Sequence, residues 1–208
     1  NSQEEVEYIL SEMDKFCKKN KFPKPSFIVV QTGTRVMETR NIGIFDYPFR
    51  VENQIPAEIQ IPKILEICNK YDIFIKEHNA DYISDEGLRW HPKLGIHSVN
   101  IAPEFGVLET KALLSILEYH NLKDLFNEFI NESFNSRKWE KWLLKNSSLS
   151  KLEKSIISGH YVFSSPKVIE IKSYAKRYLQ KKGIDLEFQL KEIVKEKINN
   201  ILRQFRVL

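Results

Sequence analysis

The chain has 208 residues, 42% of them hydrophobic and 29% charged, which is the composition of an ordinary globular protein with a substantial core. No apolar run approaches the roughly 20 residues that span a bilayer, and no signal-peptide pattern opens the chain, so a cytoplasmic protein without a membrane partner is expected. The net charge of +4 is uneven: residues 150–208 hold 13 Lys/Arg against 6 Asp/Glu. These bases alternate with acids, as in Lys191-Glu192-Ile193-Val194-Lys195-Glu196, which is the pattern of a solvated helix face, so no nucleic-acid partner is expected.

Taken in chain order, Val6, Ile9/Leu10, Met13 and Phe16/Cys17 recur at helical spacing and predict a helix over about 2–20. Asn20 and Phe22-Pro23-Lys24-Pro25 end it. Phe27-Ile28-Val29-Val30 is apolar and β-branched, as in a strand buried on both faces of a parallel sheet. A polar loop from Gln31 to Phe45 follows, then a helix with Pro62 in its first turn and Ile64, Leu65, Ile67 and Cys68 on its apolar side. Ile73-Phe74-Ile75 is a second strand, followed by a polar loop from His78 to Lys93. A third strand, Gly95 to Ile101, leads through Pro103-Glu104-Phe105-Gly106 to a helix from Glu109 to Tyr119. Beyond residue 120 only helices are expected, over about 122–132, 137–145, 150–157, 166–182 and 186–205. Cys17 and Cys68 form no CxxC pair and read as small core residues in a reducing compartment.

Three apolar strands leave two open sheet edges and too little sheet to bury themselves. Further strands are therefore expected from elsewhere, and Asn1 in place of Met suggests a processing boundary. The polar residues cluster just after each strand, the end at which α/β folds bind ligands.

Gln31-Thr32-Gly33-Thr34, Lys76-Glu77-His78-Asn79-Ala80-Asp81-Tyr82 and Asn100-Ile101-Ala102-Pro103-Glu104-Phe105-Gly106 resemble the last three strand ends of a known family. It is the GatZ/KbaZ-like family, the so-called non-catalytic subunit of class II D-tagatose-1,6-bisphosphate aldolase. The similarity extends to His160-Tyr161, Ser165-Pro166 and the final helix. It departs at Lys76, where the family has Glu, and at Asn100, where it has Lys. The resemblance implies an α/β fold: strands 6–8 of a (β/α)8 TIM barrel (about 27–31, 73–78 and 96–101) within residues 1–120, followed by a helical extension over 121–208. It implies a role in carbohydrate metabolism on a sugar phosphate at the barrel mouth, as a class II aldolase-like lyase, an epimerase or isomerase, or a non-catalytic subunit stabilising a separate aldolase. The partners implied are the missing N-terminal half of the barrel or another subunit, with an aldolase partner or a homo-oligomer as alternatives.

Strand alternation places Lys76 and His78 on one face, with Glu77 and Asn79 on the other. With the first pair facing the mouth, His78 could ligate a divalent metal such as zinc, or act as a general base. Glu77, Asp81 and Glu104 are weaker ligands, and the remaining donors would lie on other strands. Asp81 could act in catalysis or simply cap its loop. Lys76 could bind phosphate or form a Schiff base, unless an acid on a neighbouring strand pairs with it. Gln31, Thr32, Thr34, Asn79, Asn100 and Glu104 could hydrogen-bond sugar hydroxyls, and Gly33 and Gly106 would admit a phosphate to backbone N–H groups. Arg35, Arg40 and Arg89 are candidate charge partners. His97 reads as structural, His120 as a helix end, and His160-Tyr161 as a cover for the mouth or a packed helix junction.

Overall fold

The computed structural model describes residues 2–31, 33–43 and 56–207. The chain divides into two units, one of residues 1–36, 40–101 and 203–208, the other of residues 37–39 and 102–202.

In the first unit, α1 (Gln3–Asn20) opens with a capping box in which Ser2 and Glu5 satisfy each other's backbone N–H. It buries Val6, Leu10 and Cys17. β1 (Phe27–Val30) follows, then a hairpin of two short strands, β2 (Val36–Met37, its second residue counted with the other unit) and β3 (Arg40–Asn41), inside the segment expected to be a loop. α2 (Ala57–Lys70) starts earlier than expected, with Pro56 as its N-cap, so Pro62 lies inside the helix rather than in its first turn. β4 (Phe74–Glu77), α3 (Asp85–Lys93) and β5 (Ser98–Val99) complete the unit.

α3 occupies the predicted loop 78–93. Ser84 caps it by accepting from the Gly87 N–H, and Leu88 and His91, three apart, supply its buried stripe. The third strand is shorter than expected, only Ser98–Val99; Gly95 before it sits at positive φ, and the ladder is held by His97 N–H to Ile75 C=O and Asn100 N–H to Glu77 C=O. The sheet order is β1-β4-β5, all parallel, with Phe27 opposite Phe74, Val29 opposite Lys76, and Lys76 opposite Ser98.

One face of this sheet is the core: Val30, Ile73 and Ile75 meet Val6 and Leu10 of α1 and Ile64 and Cys68 of α2. The other face is open, with Phe27 43%, Val29 53% and Phe74 50% exposed. This overturns the expectation of a barrel segment with strands buried on both sides. The described residues form an open three-stranded parallel sheet in a mostly helical chain, and no (β/α)8 barrel is present among them. A four-residue apolar strand reads the same whether one face is covered or two.

The second unit is helical: α4 (Pro103–Tyr119), α5 (Lys123–Asn135), α6 (Lys151–Ser158), α7 (Pro166–Gln180) and most of α8 (Leu186–Gln204). Leu113, Leu117, Phe129, Ile171, Leu179 and Leu186 are its fully buried centre. α4 begins at Pro103 rather than Glu109, because proline at the first helical position is pre-organised for the turn. The helix expected over 137–145 is only a three-residue 3-10 turn, Glu140–Trp142. There Trp139 stacks on Phe134 at 5.3 Å and donates its indole N–H to the Phe134 carbonyl, a local closure that mimics helical spacing.

Candidate functional site

In the first unit the C-terminal ends of β1, β4 and β5 carry one connected polar network. Glu77, last in β4, points to the helix-covered face and is fully buried. The Thr34 hydroxyl lies 2.8 Å from its Oε1 and 2.6 Å from the His78 carbonyl, so its single proton serves one acceptor at a time. His78 continues the strand by one residue, its N–H donating to the Val30 carbonyl at 2.7 Å. Asn79 then takes a left-handed conformation, φ +59°, and turns the chain out of the sheet.

The turn is pinned from the hairpin. Asn41 donates through Nδ2 to the Asn79 and Asp81 carbonyls, both at 2.9 Å, and its Oδ1 accepts the N–H groups of Arg35 and Gly43. Asn41 was not foreseen as a site residue. Its signal was local: an amide side chain between two glycines in a polar segment. Any Cβ on Gly43 would overlap the Gly33 backbone, so this glycine pair permits a close backbone approach.

On the open face stand Lys76, His78 and Asn100. Asn100 Nδ2 lies 3.3 Å from His78 Nδ1, which favours the tautomer with its proton on Nε2. Asn100 Oδ1 is buried and has no hydrogen-bond partner among the described residues. Lys76 has no ion-pair partner among them either, so the expected acid on a neighbouring strand is not found there. Asp81 is buried, with its backbone carbonyl in the Asn41 clamp. Gln31 is exposed and donates from its side-chain amide to the Thr34 carbonyl at 2.8 Å. Thr32 lies outside the described residues.

Other expected contributors have structural partners. Arg89 donates to Gln204 at 2.6 Å, and His97 Nδ1 accepts the Ile75 N–H while its ring lies 4.7 Å from Phe74. Glu104 and Gly106 belong to the second unit, where Glu104 pairs with Lys197 at 2.7 Å and Gly106 lies under the His160 ring. His160 is tilted against Tyr161 at 4.0 Å; burial first, then the Lys141 charge, holds its pKa below the ordinary value. Burial pushes the Cys68 thiol up, and both cysteines are free and buried. No three His, Cys, Asp or Glu side chains converge to hold a metal among the described residues, so the donor set near His78 does not by itself fit a divalent ion. No helix among them is long and apolar enough to cross a membrane.

Comparison with known proteins adds a fold relationship. No protein-family profile matches the chain, and no curated protein sequence does. The chain is similar to the crystal structure of a probable tagatose 6 phosphate kinase from Sinorhizobium meliloti 1021, with a TM-score of 0.60 and 14% sequence identity over 87% of this chain. The match covers 53% of that protein, so this chain spans about half its length. At this identity the likeness shows the fold alone.

Proposed function

We propose that the chain binds a phosphorylated sugar on the open face of its sheet, at the C-terminal ends of β1, β4 and β5, as a relative of the class II tagatose-bisphosphate aldolase subunits. The observation that carries this reading is Asn100 Oδ1, a buried acceptor with no donor among the described residues, beside His78 and on the same face as Lys76, which has no ion-pair partner among them. A buried acceptor without a donor is costly unless a ligand supplies one, and a sugar hydroxyl does so. Lys76 offers the point charge that a phosphate needs. The Nε2 side of His78 can exchange a proton with a hydroxyl or carbonyl oxygen of the bound sugar. The Sinorhizobium protein's description names a tagatose phosphate, which agrees with this ligand class.

Calorimetric titration with tagatose 6-phosphate, tagatose and inorganic phosphate tests the reading. The phosphorylated sugar should bind at least about tenfold more tightly than the free sugar, the worth of about one charge-assisted hydrogen bond. Lys76→Met should remove that difference. Equal affinities, or binding of none of the three, would contradict the assignment.

A further inference from the structure

The helical unit carries a positive surface on the segment that ends α5, joins it to α6 and continues to Tyr161. Residues 134–161 hold six Lys/Arg against two Asp/Glu. Both acids are engaged: Glu140 pairs with Arg137 at 2.6 Å, and Glu153 closes the capping box of α6 with Ser150. The lysines of the segment make no ion pair among the described residues, and Lys138, Lys141, Lys145 and Lys151 are exposed. Aromatic rings hold these amines instead. Lys141 Nζ lies 5.0 Å from the Trp142 ring centroid and 4.9 Å from that of Tyr161. Lys154 Nζ lies 5.1 Å from Trp139, and Lys151 Nζ lies 5.5 Å from Phe134. The four rings are half-buried and tied together, Phe134 stacking on Trp139 and Trp142 donating Nε1–H to the Tyr161 hydroxyl at 3.2 Å.

We infer that this surface binds single-stranded nucleic acid without sequence preference, its lysines taking phosphates and its rings taking bases. The alternation of acids and bases in α8 that argued against such a partner does not extend to this segment. A phosphate draws each amine off its ring, and the vacated face accepts a base. An exposed cation–π contact is worth about two- to fivefold in affinity, whereas a base on an aromatic ring is worth about fivefold or more, so the exchange favours the complex. The one guanidinium of the segment is held by Glu140, and the free cations are lysines. A lysine meets phosphate as a point charge and imposes no fixed two-pronged geometry, which suits contact with any sequence. An anionic bilayer fits less well: of the large apolar side chains from 134 to 161 only Leu152 is exposed, so little is available to insert. This surface is independent of the sugar-phosphate site.

The test is fluorescence polarisation of the whole chain with a labelled oligothymidine of about 12 nucleotides, read together with tryptophan emission. Binding is expected with tryptophan quenching, and with a salt slope of about −2, the release of counterions by three lysines; affinity should fall about twentyfold between 50 and 200 mM salt. The triple variant Lys141→Gln, Lys151→Gln, Lys154→Gln should weaken binding at least about tenfold and abolish the quenching, with circular dichroism unchanged. A control triple at the end of α7, Lys176→Gln, Lys181→Gln, Lys182→Gln, should leave both readings as they are. Polyphosphate or a DNA duplex of the same length should bind at least about tenfold more weakly and leave the emission unchanged, because neither offers a base face. No binding of the oligonucleotide, equal binding of polyphosphate, duplex or phosphatidylserine vesicles, or equal loss in the two triples would overturn the inference.

Discussion

At the scale of single residues, the buried Glu77 carboxylate anchors the network behind the candidate site. Thr34→Val removes the hydroxyl that serves both this carboxylate and the His78 carbonyl, and should lower stability by about 1–3 kcal/mol in urea titrations. Gly43→Ala forces a methyl group into the Gly33 backbone and should destabilise by about 1–3 kcal/mol, the usual cost of overpacking. His160 gives a pH signature. Its folded pKa lies below the ordinary value of 6.5, by burial and by the nearby Lys141. The unfolded chain therefore takes up a proton first, and stability present above about pH 6.5 is lost as the pH falls through the folded value. The melting temperature should drop between pH 7.5 and pH 5, and more gently in His160→Gln; parallel curves would show that other groups dominate. His78, Lys76 and Asn100 were legible in the sequence as polar residues at strand ends, whereas the Asn41 clamp was not, because it depends on a hairpin that only the folded backbone reveals.

At the scale of elements, amphipathic periodicity revealed the long helices, and it failed where local contacts replace a continuous stripe. The segment 137–145 has aromatic and aliphatic residues at helical spacing, yet Trp139 and Trp142 close on Phe134 and Tyr161 instead. α3 has a polar sequence and only Gly87, Leu88 and His91 buried, so its helical stripe was too narrow to see. The junction of α5 and α6 was also silent. Its buried Ser133, Ser155 and Ser158 bond to the facing backbone, with the Ser133 hydroxyl 2.6 Å from the Ser155 carbonyl and 2.9 Å from Ser158 Oγ. Small size is the requirement there. Ser133→Ala should cost about 1 kcal/mol and Ser133→Leu about 1–3 kcal/mol more in thermal melts, because the helices have no room to separate without loss of packing.

At the scale of the whole molecule, three apolar strands with polar ends were enough to predict a parallel sheet whose polar residues gather at one end. They could not predict what lies against its second face. Phe27, Val29 and Phe74 are as hydrophobic as core residues, and only their exposure separates an open sheet from the closed barrel that strand apolarity and resemblance implied. The same face carries Lys76, His78 and Asn100, so the candidate site and the exposed apolar residues Phe27, Val29 and Phe74 share one surface. The most direct test of the ligand reading is the imidazole spectrum of His78, followed by NMR as tagatose 6-phosphate is added. Saturable shifts of the His78 ring and the Asn100 side-chain amide are expected, absent with free tagatose at the same concentration and lost in Lys76→Met. Shifts confined to the helical unit, or a His78 ring that does not respond while the sugar phosphate binds, would contradict it.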